Sequence, residues 1–163
     1  MRAIFVGAFI VNVVLALVSI AVLPSQVAVH FGFHGEPDSW GSSLRLTVVF
    51  LAVDVLLFCV LYFSPHLGFA FPDLMNLPNK AYWLAEENKG RAKAAFTSFM
   101  CELGTAVLAF LLAAILLTVE ANLSAPVRLN TELFYPALIL LLLYAVYWSV
   151  RSYRAFRIPV PRG

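Results

Sequence analysis

Four stretches of the chain are apolar almost without interruption: Ala3 to Leu23, Leu44 to Phe63, about Phe96 to Val119, and about Leu133 to Val150. Each approaches or exceeds the roughly 20 helical residues that cross the ~30 Å hydrocarbon core of a bilayer. A backbone in hydrocarbon must satisfy its own hydrogen bonds, which leaves helices or a closed barrel. The residue-by-residue alternation of a barrel strand is absent from all four. The expected fold is therefore an all-α membrane protein, a four-transmembrane-helix bundle forming one integral domain over residues 1–163. An outer loop is expected at 24–43 and a cytoplasmic loop at 64–95. Composition closes the alternatives, because hydrophobic residues make up 62% of the chain and charged ones only 12%. A soluble domain carries about a quarter charged residues, so a soluble enzyme, a disordered tail and a secreted disulfide scaffold are excluded. The first run also imitates a signal peptide, with Arg2, an apolar stretch and Ser19-Ile20-Ala21. Its apolar part is longer than a signal core, and it is expected to stay as a permanent helix.

Orientation follows from the basic residues. Arg2, the group Lys80, Lys89, Arg91 and Lys93, and the tail group Arg151, Arg154, Arg157 and Arg162 account for nine of the eleven Lys and Arg. Arg45 lies at the inner edge of the first loop, and Arg128 in the third. The positive-inside rule places both termini and the middle loop in the cytoplasm, and an even number of spans agrees with that. Cys59 and Cys101 then fall toward the reducing side, where burial and compartment lead us to expect two free, inert thiols. Tail arginines at three-residue steps beside Tyr153 and Phe156 suit anionic headgroups, and with a net charge of +2 no nucleic-acid role is expected.

Helices in lipid gain little from apolar contact with one another, so small and polar residues mark their meeting faces. Ala8, Asn12, Ala16 and Ser19 form such a stripe in the first run, and Ser98, Glu102, Thr105, Ala109 and Ala113 in the third. The fourth run is mostly leucine and is expected to face lipid. Asp54 and Glu102 lie inside spans, where a carboxylate is costly enough to suggest function. Two readings stand: a protonated or hydrogen-bonded acid joining helices, with Asn12, Thr47 or Thr105 as partners, or a proton or cation relay.

The first loop is the densest in chemistry. Val27, Val29, Phe31 and Phe33 alternate with Gln26, Ala28, His30 and Gly32, which predicts a short extended segment on the outer surface. Gly35-Glu36-Pro37-Asp38 predicts a turn, and Trp40 an interfacial anchor before the second helix. His30, His34, Glu36 and Asp38 are the one cluster with metal-ligand chemistry, but their spacing matches no metal motif, and a hydrogen-bonded loop is the expectation. No catalytic triad, phosphate loop or paired-carboxylate motif is present, so neither enzymatic activity nor a cofactor is expected.

Pro24, Val27, His30-Phe31, Gly35-Glu36-Pro37-Asp38 and Trp40-Gly41-Ser42 together resemble the signature of a bacterial membrane domain of unknown function. That domain forms the N-terminal part of SdpI-like bacteriocin-immunity proteins. A second block, Pro72, Asn76-Leu77-Pro78-Asn79-Lys80, Tyr82-Trp83-Leu84 and Glu87-Asn88, resembles the cytoplasmic loop of stand-alone members. Ser43 departs from the pattern, which more often has Lys there. The resemblance implies a multi-pass protein of the bacterial inner membrane, with a membrane-protein partner or a peptide toxin as its counterpart.

In the middle loop, Asn76-Leu-Pro-Asn79 is turn chemistry, and Asn79, Lys80, Tyr82 and Trp83 are expected at the cytoplasmic interface. From about Ala85 the chain reads helical, with Glu86 and Glu87 at the favourable end of the helix dipole. Three functions remain open: an SdpI-like protein whose outer loop (His30, His34, Glu36, Asp38, Trp40) meets a toxin, lipid or signalling partner; an accessory subunit of a larger membrane complex; and a small transporter using Asp54 and Glu102.

Overall fold

The computed structural model describes residues 1–158 and is mostly helical; Arg162 of the basic tail lies outside the described residues. The order is α1 (Arg2–Val22), β1 (Gln26–Phe31), β2 (Pro37–Ser42), α2 (Ser43–Ala70), a 3-10 turn (Pro72–Leu74), α3 (Lys80–Leu84), α4 (Glu86–Leu123) and α5 (Thr131–Ala155). Among the described residues, α1, α2, α4 and α5 are long and apolar enough to cross a membrane, and they contain the four hydropathic runs.

Several boundaries differ from expectation: α4 runs on to Leu123 and α5 to Ala155, and three further differences matter more. Helix α2 continues seven residues past Phe63, through Pro65. A proline lacks the N–H that would bond the carbonyl four residues back, here that of Leu61. The Ser64 hydroxyl donates to that carbonyl at 3.2 Å, so the helix survives its proline. Helix α4 begins at Glu86 and runs unbroken for 38 residues, so the middle loop shrinks from 64–95 to 71–85. The first loop is a paired two-stranded hairpin, which makes the fold α-helical with one small antiparallel sheet and not purely α.

Helices α1, α2 and α4 pack against one another, while α5 packs on α4 and has no buried residue. The buried face of α1 is Phe5, Asn12, Ala16 and Ser19; Ala8 is half-buried. On α4 the buried face is Cys101, Gly104, Leu108 and Ile115, turned from the stripe read in the sequence. The cause is Gly104. Phe5 lies so close to it that a methyl group there would overlap the ring, and this contact sets which side of α4 meets α1. The expected stripe turns toward α5 instead, with Glu102 bonded to Arg151 and Ala109 and Ala113 lining a groove between the two helices. Cys101 is buried but Cys59 is exposed; both are free.

Side-chain contacts fix α1 and α2 as antiparallel neighbours. Ser19 and Thr47 share a hydrogen bond of 3.2 Å near the hairpin, and Phe9 stacks on Phe58 at 4.2 Å further along. At the opposite end, Phe69, Met75, Leu77, Trp83, Ala92, Phe99 and Phe156 form a separate core around α3.

Gly104→Ala should overpack the site beneath Phe5, whose ring is fully buried and stacked on Phe58. A cost of about 1–3 kcal/mol is expected, read as a lower apparent melting temperature in detergent. An unchanged melting temperature would mean that α1 and α4 are not in this close contact.

Candidate functional site: a braced hairpin

Strand β1 pairs with β2 from Gln26↔Ser42 to Phe31↔Pro37, with irregular register on either side of His30. Pro37 and Asp38, expected in the turn, belong to β2; the turn itself is Phe33-His34-Gly35. Gly35 N–H donates to Gly32 O at 2.9 Å, and Gly32 N–H to Glu36 O at 2.8 Å, closing the tip. Gly35 has φ +85°, a conformation that L side chains rarely adopt, and a Cβ there would sit 2.5 Å from Leu129 O. Only glycine fits this turn.

The hairpin does not hang free. Val27 and Ala28 are fully buried, Val27 packing with Leu23 and Leu46. One residue from the end of α4, Asn122 accepts from Ala28 N–H at 2.6 Å and donates back to Ala28 O at 3.0 Å. Its side-chain amide thus imitates a neighbouring strand, satisfying both backbone groups of a buried residue. Further out, the tip is gripped by the segment leading into α5. Leu129 N–H donates to Gly35 O at 2.9 Å, Tyr135 OH to Phe33 O at 2.6 Å, and the Arg128 guanidinium to His34 O at 3.0 Å. Arg128 also faces Glu36 at 3.4 Å.

Bracing leaves one set of side chains outward. His30 Nδ1 and Asp38 Oδ1 are 2.6 Å apart across the strands, with side chains 71% and 51% exposed. His34 is exposed, Trp40 is about half exposed, and Phe33 at the tip is 76% exposed beside Tyr135. Glu36 is exposed but engaged with Arg128. Of the five expected loop residues, His30, Asp38 and Trp40 therefore stand on the strands, while His34 and Glu36 belong to the clasped tip. Among the described residues no three His, Cys, Asp or Glu side chains converge as a metal site would need.

The other expected residues lie apart from this surface. Asn12 and Asp54 are completely buried among the helices. Glu102 is only 13% exposed on its side chain and forms a 2.5 Å ion pair with Arg151, whose guanidinium also lies over the Phe99 ring. Of the partners expected for these acids, Thr105 bonds its own helix at Cys101 O and Thr47 bonds Ser19. At the far end, Asn79 Nδ2 and Trp83 Nε1 both donate to Phe156 O, at 3.0 and 2.7 Å. Trp83 is thus buried as a structural tie; Lys80 and Tyr82 are half-buried beside it. Asn79, Trp148, Tyr153 and Phe156 border a cavity of about 450 Å³ at that end.

Sequence reasoning missed Asn122, Arg128, Tyr135 and Phe156 as partners. Asn122 carried a signal, being a lone amide where an apolar helix runs out beside a loop rich in backbone donors.

The fold and the hairpin define a class: a mostly helical chain with four long apolar helices and a short hairpin clamped by the end of α4 and the start of α5. Residues 7–54, from α1 through the hairpin to the middle of α2, match the family model described as Domain of unknown function (DUF1648), in keeping with the resemblance drawn from the hairpin residues to a membrane domain of unknown function. No curated protein and no solved structure gives a significant match.

Asn122→Leu keeps the side-chain size but leaves Ala28 N–H and C=O buried without those bonds. A cost of about 1–3 kcal/mol is expected, together with faster hydrogen exchange at Ala28 and its strand neighbours. Unaltered exchange in the hairpin would show that the amide does not brace it.

Proposed function

We propose that this chain is a small non-enzymatic membrane protein of SdpI-like type, crossing the bacterial cytoplasmic membrane four times. Both termini and the α3 segment face the cytoplasm, and the hairpin faces outward, where it recognises a peptide toxin, a lipid or a signalling partner. The observation that carries this reading is the bracing of the hairpin. Asn122, Arg128, Leu129 and Tyr135 all bind its backbone, so its own side chains His30, Asp38, Phe33 and Trp40 stay outward. A surface held in one shape before contact loses less entropy on binding, and aromatic groups on it supply contact area. The basic residues at the α3 end support the orientation.

Expression of the chain should protect sensitive cells from a membrane-active peptide toxin, and His30→Ala or Asp38→Ala should weaken that protection without lowering the protein level. Killing curves identical with and without the chain would remove immunity as its role.

A second reading is favoured by α5. Leu133, Leu142 and Leu143 are exposed, and between α4 and α5 lies an apolar groove of about 380 Å³ bordered by Ala109, Ala113 and Ala137. A helix with no buried residue suits an accessory subunit that docks on a larger membrane complex. Purification in mild detergent would then recover the chain at high mass with constant companions; a lone 18.0 kDa species would count against it.

A further inference from the structure

Two turns below the Ser19–Thr47 hydrogen bond, the antiparallel register of α1 and α2 brings Asn12 and Asp54 to one level. Asn12 is seven residues before Ser19, and Asp54 seven residues after Thr47. Seven residues are nearly two full turns, about 10.5 Å of rise, so each returns to the face that carries the hydrogen bond above it. The Phe9–Phe58 stack lies just beyond them and keeps the same alignment. Both side chains are 0% exposed.

The chemistry at this level is unbalanced. Asn12 Nδ2 donates to Ala8 O at 2.9 Å and to Leu108 O of α4 at 3.0 Å. Those two carbonyls fix the amide's orientation, since a flipped amide would set Oδ1 against them. Asn12 Oδ1 is left without a donor, and so are both oxygens of Asp54, among the described residues. The protein's own cations are engaged or distant. Arg2 lies over the Tyr62 ring, and Arg151 is bound to Glu102. Arg45 is nine residues from Asp54 along α2, roughly 13 Å of rise. Three buried oxygen acceptors thus lie at one level of the bundle with no donor and, among the described residues, no bonded counter-charge, an arrangement that a closed apolar bundle does not keep uncompensated.

We propose that Asn12 and Asp54 form a binding site for one positive charge, a proton or a small monovalent metal cation, enclosed among α1, α2 and α4. A proton on Asp54 converts one carboxyl oxygen into an O–H that donates to Asn12 Oδ1. A metal cation is held by the same oxygens, which suit a hard ion and not a soft one. Both fillings have the same chemistry, a single charge received by oxygen acceptors. The site is separate from the hairpin and does not depend on what the hairpin binds.

Infrared spectroscopy of the full chain in lipid, in choline chloride at neutral pH, tests the proton. The chain has three aspartates; Asp38 is paired with His30, and Asp38 and Asp73 are both exposed, whereas Asp54 is buried. With a proton bound, a carboxylic-acid C=O band appears that moves on isotopic labelling of aspartate carboxyls and is lost in Asp54→Asn. With a metal cation bound, that band is absent. The apparent melting temperature then climbs with the logarithm of sodium, lithium or potassium concentration at constant ionic strength, and Asp54→Asn no longer responds. Asp54→Asn supplies an N–H toward Asn12 Oδ1, so it is expected to fold; if it does not, the labelling shift and salt response of the native chain decide alone. Neither an aspartic-acid band nor a response to any of the three cations would overturn the proposal.

Discussion

Helices as apolar as these, in the bilayer proposed for them, are solvated by hydrocarbon about as well as by one another, so apolar burial alone does not join them. Close approach and polar bonds must do so, and α4 supplies most of both. Its Gly104 admits the Phe5 ring, its Leu108 carbonyl accepts from Asn12, its Phe99 carbonyl accepts from Trp148, and its Glu102 holds Arg151. At one end Asn122 captures the hairpin. At 38 residues α4 is also the longest helix, so it spans from the hairpin to the α3 core. The other helices are arranged by what α4 offers at each level.

This division explains why the molecule has a firm part and a loosely covered part. Helix α1 bonds α2 through Ser19 and Thr47 and α4 through Asn12. Its Phe5 and Phe9 stack on Phe58 of α2, and Phe69 of α2 packs edge-on against Phe96 of α4. Helix α5 is tied at separate points: Tyr135 and Arg128 near the hairpin, Trp148 and Arg151 further down, and Phe156 at the α3 end. Between those ties its Ala137, Leu140 and Leu141 face a shallow groove. The hairpin gains its rigidity from the same economy, because each tie to its backbone comes from α4, α5 or the segment joining them.

Much of this was legible in the sequence, for physical reasons that also mark where legibility ended. Hydropathic runs report helices well because hydrocarbon permits little else, and Asn12, Ser19 and Asp54 were readable as interior because an apolar run tolerates such residues only when they face other protein. Alternation from Val27 to Phe33 reported extended chain. The turn was misplaced because Pro37-Asp38 has strong local turn chemistry, whereas the tip is set by a distant contact, Leu129 to Gly35. Helix α2 was cut at Phe63 because the apolar run stops at Ser64-Pro65-His66, and the repair by Ser64 that carries the helix on is a matter of geometry. Arg151 was assigned to the lipid headgroups because its sequence neighbours are basic. That α5 runs on to Ala155, so that Arg151 can reach Glu102, could not be read from charge alone.

The proposed function rests on the hairpin and the α3 segment lying on opposite sides of a membrane, and the most direct test is to label each from one side. Cys59 and Cys101 are replaced, and single cysteines are placed at Ser39 on the hairpin and Ala81 on α3, both exposed. A membrane-impermeant maleimide applied to spheroplasts, whose inner membrane is intact, should modify Ser39→Cys at once and Ala81→Cys only after that membrane is permeabilised. Labelling of both positions from outside, or of Ala81→Cys alone, would contradict the topology and the role proposed for the hairpin.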